Sequence, residues 1–197
     1  MATPPSKGKL LYHITHIDNI PSILTLGLMS RKTLEQTGIY FKDTADQEIL
    51  NKRENYKDSL SQYVLFHFFA KNPYDGAVCK TNGAENMVII TIPRALHQQY
   101  RFLVIPSHPL DSDTPDIYPY EEGLKKIRWD ILDMQVGRDY HNPEIKKACM
   151  AECVADRTIS PLDFYGLYVK TEAAKAKIQR MENSHLVNIE VKPFMFP

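Results

Sequence analysis

Residues 10–28 read LLYHITHIDNIPSILTLGL, a strand that runs straight into a helix. Leu11, His13 and Thr15 alternate with Tyr12 and Ile14, so the first three share one face of an extended segment. The period then changes. Ile20, Ile23 and Leu24 form an apolar stripe at helical spacing over about 19–26. Asp18 or Asn19 fits the N-cap, Pro21 the first turn and Gly27 the end. A strand and a helix joined this tightly commit the chain to an architecture that mixes the two. They also pose a chemical question, because a buried-looking strand aims a histidine and a threonine the same way.

The rest of the chain repeats the mixture. A polar helix is expected at about 44–56. Strands are expected at YVLFHFF (63–69), NMVIITI (86–92) and RFLVI (101–105), with Pro93 opening a short helix. Residues 106–120 hold four prolines and read as a loop. Residues 121–132 read as helix, 133–146 as loop, and KACMAECVA (147–155) and FYGLYVK (164–170) as strands. A helix capped by Thr171 covers 171–182, and HLVNIEVKPF closes as a strand. Six or seven strands with helices between them predict one α+β domain over 1–197, with residues 1–8 a flexible N-terminus.

At 197 residues the chain is long enough for one real core. Its N-terminus lacks the apolar core of a secretory signal, and no run of about 18 apolar residues is present to span a membrane. Three cysteines at 79, 149 and 153 are too few and too badly spaced for a disulfide framework or a zinc site. The expected setting is the cytoplasm. Lysine plus arginine balance aspartate plus glutamate at 24 each. A protein that coats duplex DNA is usually more basic, so any nucleic-acid contact is expected to be short and local. No glycine-rich phosphate loop and no G-x-S-x-G elbow occur, which argues against P-loop, Rossmann and α/β-hydrolase readings.

Glu152 is the most informative residue. Read as one strand, KACMAECVA places it on a face with Ala148, Met150 and Val154. A carboxylate there needs a partner or a purpose. It fits a buried ion pair, an edge position wetted by solvent, or a functional carboxylate on a rigid strand. His13 and Thr15 are equally open, and His13-x-x-His16 is a poor metal pair because the two side chains of a strand so spaced point apart. Arg53, in NKREN, fits a solvated helix face, and His67 places a polar ring on an apolar side of its strand.

Taken in order, YHITHIDNIPSILTLGL, EILNKR, YVLFHFFAKNPYDG, MAECV, ISPLDFYGLYV and VKPFMF resemble the DarT family of DNA ADP-ribosyltransferase toxins. The resemblance covers residues 10–197. It implies an ADP-ribosyltransferase-like fold, two packed β-sheets with helices around an NAD cleft. His13, Ile14 and Thr15 would match the family's H-x-T segment, which holds NAD. Arg53 would match the arginine that contacts the cofactor and assists transfer, and Glu152 the catalytic glutamate of the A-E-x-x-V strand. The implied reaction transfers ADP-ribose from NAD+ to a base of single-stranded DNA without a metal. The implied partner is an antitoxin, a macrodomain-type or similar hydrolase that removes the mark, or a protein that binds the toxin. His67, Phe69, Lys71, Tyr140 and His141 are the candidate DNA contacts. Thymine-modifying members commonly carry a P-F-Y-F strand and then a segment close to R-S-P-M-L-Y, where this chain has Leu65-Phe66-His67-Phe68 followed by AKNPYDG. That departure leans the expected base towards guanine. Two other readings remain, an ADP-ribosyltransferase acting on RNA or protein and a non-enzymatic NAD- or nucleic-acid-binding module.

Overall fold

The computed structural model describes residues 3–44, 60–110, 115–134 and 136–197. The first strand, β1, is Leu10–His16. A 3-10 turn, Ile17–Asn19, leads into helix α1, Ile20–Leu26, which buries Ile20, Ile23 and Leu24 as its stripe predicts. The helix stops at Gly27, whose φ of 92° suits glycine. A Cβ there would lie 2.7 Å from Thr158 Cγ2 and 2.8 Å from the Ile159 carbonyl oxygen. This close approach lets Leu28 pair with Ile159.

Helix α2, Arg31–Thr37, follows, with Ser30 Oγ accepting the Thr33 N–H at its start. Strand β2 is Val64–His67 and helix α3 is Pro73–Asn82, capped by Asn72. Strand β3, Met87–Pro93, is buried along nearly its whole length. A turn at Arg94–His97 leads to β4, Leu103–Ile105, and the short β5, Tyr118–Pro119. Helices α4 (Tyr120–Leu124), α5 (Trp129–Leu132) and α6 (Pro143–Cys149) precede β6, Glu152–Ala155. Strand β7 is Gly166–Val169, helix α7 is Glu172–Gln179 under a Thr171 cap, and β8 is Ile189–Val191.

Among the described residues the strands form one sheet in the order β5-β4-β6-β2-β1-β3-β7-β8. The expected pair of packed sheets is therefore corrected to a single sheet that is nearly divided. Strand β1 runs antiparallel to β3 over seven residue pairs but meets β2 at one, Tyr12 with His67. Each half, β5-β4-β6-β2 and β1-β3-β7-β8, is thus internally paired and joined to the other at a split.

One face of the sheet carries a continuous core that spans the split. It includes Leu11, Phe66, Ile90, Cys153 and Leu167, covered by residues such as Ile20, Leu24 and Ile178. The opposite face carries two separate apolar clusters. One, around Ile14, Met87, Ile89 and Tyr168, lies on the β1 half, and the other, around Leu60, Ile105 and Val154, lies on the β6 half. The polar residues His67 and Glu152 belong to neither.

Three further expectations change. Residues 143–149 are helix α6, not part of a loop and a long strand, so Ala148 and Met150 do not share a strand face with Glu152. Asn142 causes this, since its side chain accepts the Glu144 N–H and Pro143 presets the first turn. The segment 121–132 divides into α4 and α5. Of the N-terminal residues expected to be flexible, two are held: Pro5 is buried, and the Ser6 N–H and hydroxyl both bond to Asp133. The polar helix expected at 44–56 falls almost entirely outside the described residues. Among the described residues, no helix is long and apolar enough to cross a membrane.

Candidate active site

A cleft opens at the split. Its walls include His13, Ile14 and Thr15 of β1, Leu65 and His67 of β2, and Glu152 of β6. Strand alternation would send His13 and Thr15 away from Ile14, yet all three reach the cleft because β1 borders the split. This answers the question raised by the opening strand.

His13 fills the gap that the missing ladder leaves. Its Nδ1 lies 2.8 Å from the Leu65 carbonyl oxygen, an acceptor only, so Nδ1 carries the proton and Nε2 is left as an acceptor. Its ring meets Phe66 edge-on at 5.9 Å. Burial pushes its pKa down to about 4, against a smaller upward pull from the Leu65 bond, so the ring is neutral at pH 7.

Thr15 Oγ1 accepts a hydrogen bond from Asn19 Nδ2 at 3.0 Å. The same amide grips Lys42 at both main-chain atoms. Its Nδ2 donates to the Lys42 carbonyl at 2.9 Å and its Oδ1 accepts the Lys42 N–H at 2.7 Å. Asn19 therefore ties segment 39–44, part of which lines the cleft, to the end of β1. His16 stands apart from His13, contacting Asp18 at 3.3 Å and Lys42 Nζ at 3.0 Å.

Glu152 is the first residue of β6, in register with His67 on β2 and Ile105 on β4. It is 1% exposed. Its backbone is fixed between two paired strands and its side chain is buried, which leaves the carboxylate little freedom to move. His67 is 6% exposed, its ring lies 5.8 Å from that of Tyr74, and its Nδ1 has no hydrogen-bond partner among the described residues. Asp75 lies behind it. Burial raises the Asp75 pKa, while His67 and the Lys71 N–H, 2.9 Å from its Oδ2, pull it back.

Of the residues expected at the site, the structure brings His13, Ile14, Thr15, His67 and Glu152 together. Arg53 lies outside the described residues. Phe69, Lys71, Tyr140 and His141 do not line the cleft. The first three gather beside the start of α3. Phe69 is buried under the Arg138 guanidinium at 4.6 Å, and the Tyr140 hydroxyl donates to the Lys71 carbonyl at 3.1 Å. His141 is exposed, with its N–H bonded to Asp139. The sequence reading missed Asn19 as a tether and Arg31, Tyr63 and Tyr74 as wall residues. Arg31 pairs with Asp43 and Glu35 and lies 5.0 Å over the Phe41 ring. Ser30, the cap that starts its helix, was the available signal. Among the described residues, no group of three or more histidine, cysteine, aspartate or glutamate side chains is placed to hold a metal ion.

A family model described as "ssDNA thymidine ADP-ribosyltransferase, DarT" matches residues 12–196. A DNA ADP-ribosyl transferase–DNA ADP-ribosyl glycohydrolase fusion protein of Thermosipho africanus is 25% identical over 193 residues, covering 94% of this chain and 49% of that protein. The chain thus spans about half the length of that relative. The structure of Thermosipho africanus DarTG in complex with ADP-ribose superposes with a TM-score of 0.82 at 24% identity, over 96% of this chain and 51% of that one. That of Thermus sp. 2.9 DarT in complex with ADP-ribosylated ssDNA gives 0.84 at 18% identity, over 100% of both chains. A third, Thermus sp. 2.9 DarT in complex with NAD+, gives 0.78 at 16% identity over 97% of this chain and 98% of that one. These likenesses show a shared fold.

Proposed function

The chain belongs to the DarT family, whose model is that of an ssDNA thymidine ADP-ribosyltransferase, and from that premise we propose that it transfers ADP-ribose from NAD+ to a base of single-stranded DNA. The observation that carries this reading is the meeting of His13 and Thr15 from one half-sheet with Glu152 from the other, in one cleft. Simple binding does not need a carboxylate held so rigidly.

The residues present fit a dinucleotide. Ile23, Leu26, Leu28 and Phe41 give the cleft apolar walls for flat rings. The His13 Nε2 acceptor suits a ribose hydroxyl. NAD+ supplies the ADP-ribosyl group, and nicotinamide departs as a neutral molecule. The carbon–nitrogen bond from the ribose to nicotinamide breaks as the base nitrogen bonds to the same ribose carbon; positive charge builds on that carbon, as in glycoside cleavage, and the Glu152 carboxylate would stabilise it. The same carboxylate holds the ribose 2′-hydroxyl and accepts the proton from the attacking base nitrogen late in the step. Arg53 is assigned to the diphosphate, whose paired oxygens match a planar guanidinium fork.

A paired and stacked base hides its edge, which favours single-stranded substrate. Lys71, Tyr140 and His141 are assigned to the strand, with Arg138 joining them. Phe69 is assigned there too, through the cation on its ring. His67 stays assigned to the base. The family description supports thymidine, so it replaces the guanine expected from the departures in the second-strand motif. The Thermosipho relative carries its glycohydrolase on the same chain, which supports a paired, mark-removing antitoxin and a toxin role.

Single-stranded oligonucleotides lacking either thymine or guanine, incubated with the protein and NAD+ and read by mass spectrometry, test the assignment. A mass gain of one ADP-ribose is expected on the guanine-free strand and not on the thymine-free strand. The reverse pattern would restore guanine. Label on RNA or protein alone would move the acceptor.

A further inference from the structure

The split in the sheet is wedged from both sides of its one residue pair. On one side, His13 reaches across to the Leu65 carbonyl. On the other side stands Arg94, from the turn that follows β3. Its Nε donates to the Leu10 carbonyl of β1 at 3.0 Å, and its Nη2 to the Phe68 carbonyl just after β2 at 3.0 Å. Continued past Tyr12 and His67, an antiparallel ladder would place residues 11 and 10 opposite 68 and 69. The guanidinium lies at the place where that ladder stops.

The setting is unusual for a cation. Arg94 is part-buried, 5.1 Å over the Phe68 ring and 5.8 Å over that of Trp129. Burial lowers its pKa, and the groups that oppose this are Tyr120, Tyr12, Cys153 and Asp133. Asp133 is itself engaged by Ser6. The Arg94 main-chain N–H also holds the Lys9 carbonyl at 2.8 Å, and a Cβ on Gly8 would sit 3.2 Å from Nη2. The side chain is thus boxed in, with Nε donating to a carbonyl of β1 and Nη2 to the carbonyl just past the end of β2. Lysine could not copy this, because its ammonium lacks a planar fork with two fixed directions.

We propose that Arg94 is a positioning residue, a spacer that sets the distance between β1 and β2 and so aligns the His13 wall of the cleft with the Glu152 wall. The inference rests on the reading of that cleft as the transfer site. Catalysis is more sensitive than binding to such alignment, because a displacement of about 1 Å is enough to slow a reaction about a hundredfold.

The test compares wild type with Arg94→Met and Arg94→Lys, all well below their melting temperatures. Calorimetry gives the NAD+ affinity, labelled NAD+ with single-stranded DNA gives kcat, and hydrogen exchange reports the Tyr12 and His67 amides. Arg94→Met is expected to lower kcat at least about tenfold while Kd for NAD+ stays within about threefold, with faster exchange at both amides. Arg94→Lys should recover part of kcat. A folded Arg94→Met protein with kcat within about twofold of wild type would overturn the proposal, as would a loss that only tracks the folded fraction. If Arg94→Met does not fold, Arg94→Lys is read alone: kcat lowered more than about twofold with Kd for NAD+ within about threefold is expected, and kcat within about twofold of wild type would overturn the proposal. Wild-type protein that binds no NAD+ would defeat the transfer reading, while the exchange rates would still test the spacer.

Discussion

Glu152 shows what one residue can reveal and what it hides. A glutamate amid apolar neighbours is legible in the sequence as an anomaly, and the structure gives it a place on β6 facing His67 across the pair of strands. Of the apolar face expected for it, only Val154 lies on the same strand, because Ala148 and Met150 belong to α6 and its end. His13 was legible through alternation, but its neutral state was not, because that follows from burial and from the Leu65 carbonyl on another strand. The low pKa has a consequence for stability. The unfolded chain takes up a proton at imidazole's ordinary pKa of about 6.5, and the folded one only near 4. The contribution of the neutral ring is therefore complete above about pH 6.5 and is lost as pH falls towards 4. Urea denaturation at pH 7 and pH 5 should show wild type losing about 2 kcal/mol more than His13→Gln over that interval. His16 is pushed the same way and remains in both proteins, so the difference isolates His13. Equal losses would mean that His13 is not buried in its neutral form.

Elements whose signals are local were readable. Strand β1, helix α1 and its glycine stop, β3, and the Thr171 cap of α7 all lie where period and capping place them. Helices α3 and α6 were missed despite an Asn-Pro start in each, Asn72-Pro73 and Asn142-Pro143. The alternation of small apolar residues in KACMAECVA outweighed the cap, although a side-chain acceptor at the N-cap followed by proline is the more specific signal. The single sheet and its split were not legible, because a ladder that stops after one pair depends on residues far apart in sequence. Its two wedges come from His13 and Arg94, 81 residues apart. Gly27 belongs to this scale too. Gly27→Ala would put a methyl against Thr158 and the Ile159 carbonyl at a positive φ, and should destabilise the protein by about 2 kcal/mol or more. Thermal denaturation checks this, and an unchanged melting temperature would mean that the α1 exit is not held as described.

At the scale of the whole molecule, charge and architecture point the same way. Equal numbers of acidic and basic side chains leave little long-range pull on a polyanion, so the proposed recognition of single-stranded DNA should rest on a few local contacts. Binding of a thymine-containing single strand to a Glu152→Gln protein, followed by fluorescence anisotropy, should weaken only gently with salt. The slope of log K against log salt should be no steeper than about −3, equivalent to roughly four phosphates. A slope beyond about −5 would indicate an extended basic track instead. In the proposed reaction the chemical burden falls on the Glu152 carboxylate, on β6, one strand in from the split. The most direct test pairs two readings on Glu152→Gln, NAD+ affinity by calorimetry and ADP-ribose transfer to single-stranded DNA with labelled NAD+. Loss of transition-state stabilisation should abolish transfer while affinity stays within about tenfold of wild type. Substantial transfer by the folded Glu152→Gln protein would contradict the account.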